Sequence, residues 1–352
     1  EPAQADRAEH GRQDQHGSER ARAAIGERSG QQHADATEQR QQRAALHRLL
    51  AAVRDGHALQ LDHAFVDAMR GVLRHEALDP AFKALVLTPP TEQYVAEQCT
   101  VVDPQRIHVV QEQFRAQMAA QLQADWQWAF EAHQVREGYK PDTEQSGRRA
   151  LANLALRMIV LHAVASNDSV WQGRAYQRFK DAGQMTDTLG ALNALVQAHA
   201  PLAEAALAQF HARFAAEPLV IDKWFSLQAE ASEPVGEGAG RVFQRVRALL
   251  QHPDFSLKNP NRARSLIGSL CLRNQAAFHR ADAAGYVFWA DRVIELDAIN
   301  PQLASRLARA MDRWSHLAEP WRSAAREAVA RVAARPDLSS DVREIVTKAL
   351  ES

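Results

Sequence analysis

The sequence predicts an all-α protein, a superhelical stack of short helices, on three observations. Ala, Leu, Arg, Gln and Glu are abundant while only 16 Gly and 14 Pro occur in 352 residues, and the abundant types are strong helix formers. Runs alternating Val, Ile, Thr or aromatic residues with polar ones, the mark of half-buried strands, are nearly absent. Polar residues also precede proline repeatedly, at Asp79-Pro80, Asp103-Pro104, Asn259-Pro260, Asn300-Pro301 and Glu319-Pro320. In the first four a short side chain can accept from the first free amides. Proline suits the first helical position because its missing N–H would have been unpaired there anyway. Each pair reads as a helix start.

Residues 1–45 differ in composition from the rest of the chain. They hold one large apolar residue, Ile25, no aromatic, and eight Gln, seven Arg and eight acidic residues. Such a segment buries too little surface to offset its chain entropy, so a disordered tail is predicted. His10, His16 and His33 are irregularly spaced and lack a cysteine, which argues against a metal site. From residue 46 to 352 the pattern becomes helix, break, helix.

Within that domain the apolar faces repeat at helical spacing. Leu151, Leu154, Met158, Leu161 and Val164 form one stripe, and Ala263, Leu266, Ile267 and Leu270 another. After Pro301, Leu303, Leu307, Ala310, Met311 and Trp314 lie along one face. Ala324, Ala328 and Val332, then Val342, Ile345, Val346 and Leu350, mark two closing helices. About sixteen short helices on short turns are expected. They should stack as antiparallel pairs in a solenoid whose repeat is degenerate, since no strict period is visible.

Composition excludes several function classes. With 42 Lys plus Arg against 43 Asp plus Glu, the net charge is −1, which leaves no basic excess for nucleic acid or an anionic membrane. No apolar run approaches the ~20 residues of a membrane span, and no signal-peptide core is visible. A cytoplasmic location is expected. Two cysteines, Cys99 and Cys271, make neither a disulfide framework nor a four-thiolate zinc site, and fit buried thiols in a reducing compartment.

Motifs of catalysis are also absent: no phosphate loop, dinucleotide fingerprint or nucleophile elbow occurs. The nearest metal motif is His75-Glu76-Ala77-Leu78-Asp79. A helical zinc-peptidase site needs His where Asp79 stands, and Pro80 follows at once, so a turn is predicted instead. Trp224 and Phe225, in Val220-Ile221-Asp222-Lys223-Trp224-Phe225, are read as core packing rather than a ligand platform.

Longer segments carry a resemblance. That apolar segment, Asn259-Pro260-Asn261-Arg262-Ala263-Arg264-Ser265-Leu266-Ile267-Gly268, Asn300-Pro301-Gln302-Leu303-Ala304-Ser305-Arg306-Leu307, Met185-Thr186-Asp187 and Ile345-Val346-Thr347-Lys348-Ala349-Leu350 carry it. Together they resemble the C-terminal helical domain of the aminopeptidase N family, bacterial M1 zinc metallopeptidases. The resemblance spans residues 46–352 and implies a right-handed ARM/HEAT-like superhelix that closes over a catalytic domain and limits access to its chamber. It further implies that Arg264, Gln302 and Arg306 line the substrate cavity. Gln302 and Arg306 are four apart, on one helical face away from Leu303 and Leu307.

In that family an earlier domain holds zinc on a His-Glu-x-x-His helix and binds the substrate amine through Gly-Ala-Met-Glu-Asn. Neither motif occurs in these 352 residues, and the Gln/Arg-rich tail resembles nothing in that domain. The expectation is therefore a fragment, or a chain whose catalytic domain comes from a separate partner. It should hold no metal or cofactor itself, meet peptide substrates at the cavity wall, and be inactive alone. The alternative is a free-standing helical-repeat scaffold that binds a peptide or protein on its concave face.

Overall fold

The computed structural model describes residues 43–351. Nearly all of the expected tail, with His10, His16 and His33, lies outside the described residues. Residues 43–55 are helical (α1) and bury Ala45 and Leu49, so 43–45 belong with the helical domain and the expected boundary at residue 46 moves back.

Helices account for the rest: α2 (His63–Arg74), α3 (Pro80–Leu87), α4 (Glu92–Glu97), α5 (Pro104–Gln121), α6 (Gln123–Ala132) and α7 (Thr143–Ala165). Then come α8 (Ser169–Asp181), α9 (Met185–Gln197), α10 (Ala203–Phe214), α11 (Pro218–Ala229) and α12 (Arg241–Leu249). A broken helix follows as α13 (Pro260–Ala263), a π turn (Arg264–Gly268) and α14 (Ser269–Arg273). Last are α15 (Gln275–Phe278), α16 (Ala284–Asp297), α17 (Pro301–Ala308), α18 (Trp321–Ala333) and α19 (Ser340–Glu351). Among the described residues the one β pairing is an isolated parallel bridge between Val102 and Leu317.

The polar-proline pairs start helices as their chemistry requires. Asp79, Asp103, Asn259 and Asn300 each cap their helix, with side-chain oxygens accepting from the first free amides. Glu319-Pro320 differs by one position. There α18 begins at Trp321, with Pro320 at the cap position, and the Glu319 carboxylate accepts from the Ser323 N–H at 3.2 Å.

Nineteen α-helical segments appear among the described residues against about sixteen expected, because some continuous apolar stripes are broken. The stripe after Pro301 runs through α17 and one 3₁₀ turn (Arg309–Met311) before reaching Trp314, which opens a second (Trp314–His316). Conversely α7 is long, at 23 residues, and it is buried on several faces, through Leu151, Ala155, Met158 and Ile159 among others. It packs against α3, α5, α6, α8 and α9 and forms the axle of the first half. The second half stacks α16 on α17 and α18, and closes with α18 on α19.

Four buried tryptophans solve the same problem along the stack. The indole N–H of Trp126 donates to Met118 O at 3.0 Å and that of Trp224 to Leu207 O at 3.0 Å. Trp289 reaches Leu307 O at 2.9 Å and Trp314 reaches Ala349 O at 2.7 Å. A large apolar ring thus fills the core while its one donor is satisfied. The expectation that Trp224 and Phe225 pack the core is borne out.

Candidate functional site

The segment around Asn259 builds one wall from the backbone outward. Asn259 Oδ1 accepts from the Asn261 and Arg262 amides at 3.0 and 3.3 Å, and Pro260 occupies the first turn. The two arginines of this motif then part company. Arg262 is buried: Nη1 donates to Pro218 O at 2.8 Å and pairs with Asp222, while Nε donates to Asp254 O at 3.0 Å. Its guanidinium also lies 5.4 Å from the Phe225 ring centre. Arg264 is exposed and makes one hydrogen bond, from Nη1 to Asn261 Oδ1 at 3.0 Å.

A π turn begins at Arg264, where the Ser269 amide reaches back five residues to Arg264 O. Widening one turn keeps Ala263, Leu266, Ile267 and Leu270 all in the core. It leaves Arg264, Gly268 and Leu272 facing one cleft.

Helix α17 supplies the opposite side. Leu303, Ala304, Leu307 and Ala308 are buried, so Gln302 and Arg306 are presented outward. Arg264 and Arg306 meet across a cleft of about 170 Å³ with an apolar floor of Ile267, Leu272, Leu296, Leu303 and Leu307. Gln302 lies one turn before Arg306 and does not line the cleft itself. The side chains of Gln302 and Arg306 have no polar partner among the described residues.

Arg273, which sequence reasoning overlooked, completes the constellation. Its Nη1 pairs with Glu230 at 2.8 Å, and Glu230 also accepts from the Ser269 hydroxyl at 2.7 Å. It lines the 170 Å³ cleft, an open groove of about 780 Å³ beside α9 and α11, and a cavity of about 430 Å³ bounded by α4, α5 and α7. Arg273 is thus common to the walls of all three clefts. The unpaired Arg306 guanidinium and the singly bonded Arg264 give the cleft they share a positive field over apolar ground, suited to a carboxylate or peptide carbonyls.

Sequence reasoning also missed His108 in the 430 Å³ cavity. Its Nδ1 lies 2.7 Å from Glu92 Oε1 and its Nε2 lies 2.6 Å from Glu233 O. Burial pulls this imidazole toward neutrality, but the Glu92 bond, the Glu92 and Glu112 charges and the Glu233 carbonyl outweigh it, and the pKa is raised. No motif marks such a residue, because its partners lie 16 and 125 positions away.

His279 and the two thiols are structural. Burial pulls His279 down to about 3, so it stays neutral, bonded to Tyr286 Oη at 2.8 Å and Gln275 Oε1 at 3.0 Å. Cys271 is buried with its thiol pKa pushed up, and Cys99 is half-buried with a smaller push from the same cause. The residues nearest a zinc-peptidase motif do not fit that metal. His75 lies in the turn before α3, where its Nδ1 accepts from the Ala77 amide, and Asp79 is engaged in capping α3.

A family model described as a domain of unknown function (DUF3458_C), ARM repeats, matches residues 35–351. The chain belongs to this ARM-repeat family. Its relatives include aminopeptidase N of Escherichia coli (strain K12), 35% identical over 301 residues that cover 86% of this chain and 33% of that protein. Aminopeptidase N of Caulobacter vibrioides is 34% identical over 286 residues, covering 81% and 32%. A solved structure of Legionella pneumophila aminopeptidase A in complex with aspartic acid superposes with a TM-score of 0.76 at 25% identity, covering 88% of this chain and 36% of that one. The resemblance to the C-terminal helical domain of M1 aminopeptidases is borne out. The chain spans about a third of the length of these relatives. No helix among the described residues is long and apolar enough to cross a membrane.

Proposed function

We propose that this ARM-repeat chain is the accessory domain of an aminopeptidase, forming one wall of the chamber in which peptides are cleaved. Family membership and the convergence of Arg264, Arg273 and Arg306 on one cleft support the reading. Of these, the Arg264–Arg306 cleft carries it. Two guanidiniums over an apolar floor can hold the carboxylate end of a peptide and its backbone carbonyls while side chains rest on Leu272 and Leu303.

Hydrolysis then depends on groups that a catalytic domain supplies. This chain's own residues bind and orient, and no described residue is set to activate water at the cleft. The two free thiols suit the reducing cytoplasm in which we place it.

The test uses the purified chain with chromogenic alanyl and leucyl substrates and added zinc. No chelator-sensitive turnover is expected from the chain alone, and recovery is expected when an M1 catalytic domain is supplied. Robust turnover by the chain alone would overturn the reading. Tight peptide binding at the cleft with no gain from that domain would favour a free-standing scaffold.

A further inference from the structure

Away from the Arg264–Arg306 cleft, α10 and the connection between α12 and α13 bring together two imidazoles and a carboxylate. His211 Nε2 lies 2.6 Å from Asp254 Oδ2, and His252 Nδ1 lies 3.9 Å from the same oxygen. One ligand atom from each of the three falls within 4.8 Å of the others. We propose that His211, His252 and Asp254 form a site for one divalent transition-metal cation of the zinc class.

The donor set selects the class. Two imidazole nitrogens and one carboxylate oxygen suit Zn²⁺, Co²⁺ or Ni²⁺, whereas Ca²⁺ and Mg²⁺ prefer oxygen alone. Three protein ligands leave a fourth position of a tetrahedral shell to water. All three residues stay partly open to solvent, with side-chain exposures of 25, 26 and 38%, so a cation can enter. Bond lengths of about 2.0–2.2 Å need small rotations that draw His252 inward and move Asp254 off His211. To ligate through Nε2 the His211 ring must be neutral with its proton on Nδ1, so the proton now shared with Asp254 passes to Nδ1 of a neutral ring, or to solvent from a doubly protonated one, as the cation takes its place.

The surroundings hold the ligands in place. The His211 and His252 rings meet edge to face at 5.1 Å, and both pack on Trp224, at 4.9 and 5.2 Å. Phe225 closes the far side of His252 at 5.8 Å. The Asp254 amide donates to His252 Nδ1 at 3.1 Å, which holds the ring beside the carboxylate, and the cation must displace this bond to take the Nδ1 lone pair. Arg262, the nearby cation, is already paired with Asp222 and holds Asp254 through its carbonyl.

No local motif announces such a site, since Asp254 lies 43 positions beyond His211. It departs from the expectation that this chain holds no metal, which rested on short spacings. Occupancy would clamp α10 to the connection that leads, through Arg262, into the wall carrying Arg264.

The experiment titrates the metal-free full chain with Zn²⁺ by calorimetry and with Co²⁺ by visible absorption, alongside His211→Ala, His252→Ala and Asp254→Asn. One cation per chain is expected, with Co²⁺ bands of a four- or five-coordinate N/O site and a melting temperature that rises with Zn²⁺. Each substitution should weaken that binding by about tenfold or more and remove both the bands and the thermal shift. His211→Gln and Asp254→Asn keep polar side chains of similar size and guard against a folding defect. Absence of binding up to millimolar Zn²⁺, or binding unchanged by all substitutions, would overturn the proposal.

Discussion

Arg262 and Asp222 form a buried ion pair that locks α13 to α11. The arginine also donates to two backbone carbonyls and lies near Phe225. The cleft-facing Arg264, two residues on, inherits its position from that anchor.

Removing one partner of such a pair leaves an uncompensated buried charge, which costs about 3–5 kcal/mol. Arg262→Ala is therefore expected to lower stability by that order, and Arg262→Lys to restore only part, because a lysine cannot present the same fork to an aspartate and two carbonyls. Urea denaturation followed by circular dichroism measures both.

Arg264→Ala and Arg306→Ala should behave in the opposite way. Both side chains are exposed and contribute little to folding, so each change is expected to stay within about 0.5 kcal/mol of the parent. On the wall reading, the same changes in an assembled aminopeptidase raise KM for peptides and leave single-residue chromogenic substrates nearly untouched. Steady-state kinetics with both substrate types separates the effects.

The His108–Glu92 contact gives a pH dependence of definite sign. A raised folded-state pKa means that the stabilisation is fully present below the unfolded value of about 6.5 and is lost as pH rises through the folded value. His279 runs the other way: held near 3 by burial, it costs stability as pH falls from about 6.5 toward 3. His108→Gln should flatten the alkaline fall and leave the acid side unchanged, as read from denaturation midpoints across pH 4–9 (about the span of a histidine titration).

Two glycines should respond to alanine with opposite signs. A Cβ on Gly285 would collide with the Phe278 carbonyl oxygen, whereas one on the helical Gly173 meets nothing within 4 Å. Gly285→Ala forces the backbone of α16 away from α15 and is expected to cost about 1–3 kcal/mol or more. Gly173→Ala should stabilise α8 by up to about 1 kcal/mol. Thermal melts of the two single variants provide the check.

Helix content and helix starts were legible because capping and proline chemistry act within four residues. Asp79, Asp103, Asn259 and Asn300 are each diagnosed by the amides just after them. The π turn at Arg264–Gly268 was not legible, since an apolar stripe fits a regular helix equally well and the extra residue depends on packing with α11. The cleft was half visible. Arg264 and Arg306 came from the family motifs, and the i to i+4 rule correctly turned Gln302 and Arg306 outward. Arg273 needed Glu230, His108 needed Glu92 and Glu233, and the His211 cluster needed a turn 43 positions away. Those partnerships exist only once distant helices have stacked.

The four indoles bonded to backbone carbonyls have a practical corollary. Each sits in a dry niche at a different station along the stack, at residues 126, 224, 289 and 314. Their emission should be blue and should redden niche by niche as water enters. The chain holds seven tryptophans, so replacing six at a time with phenylalanine would leave a single lamp lit, and the order in which the four lamps change colour during denaturation would reveal from which end the coil unwinds.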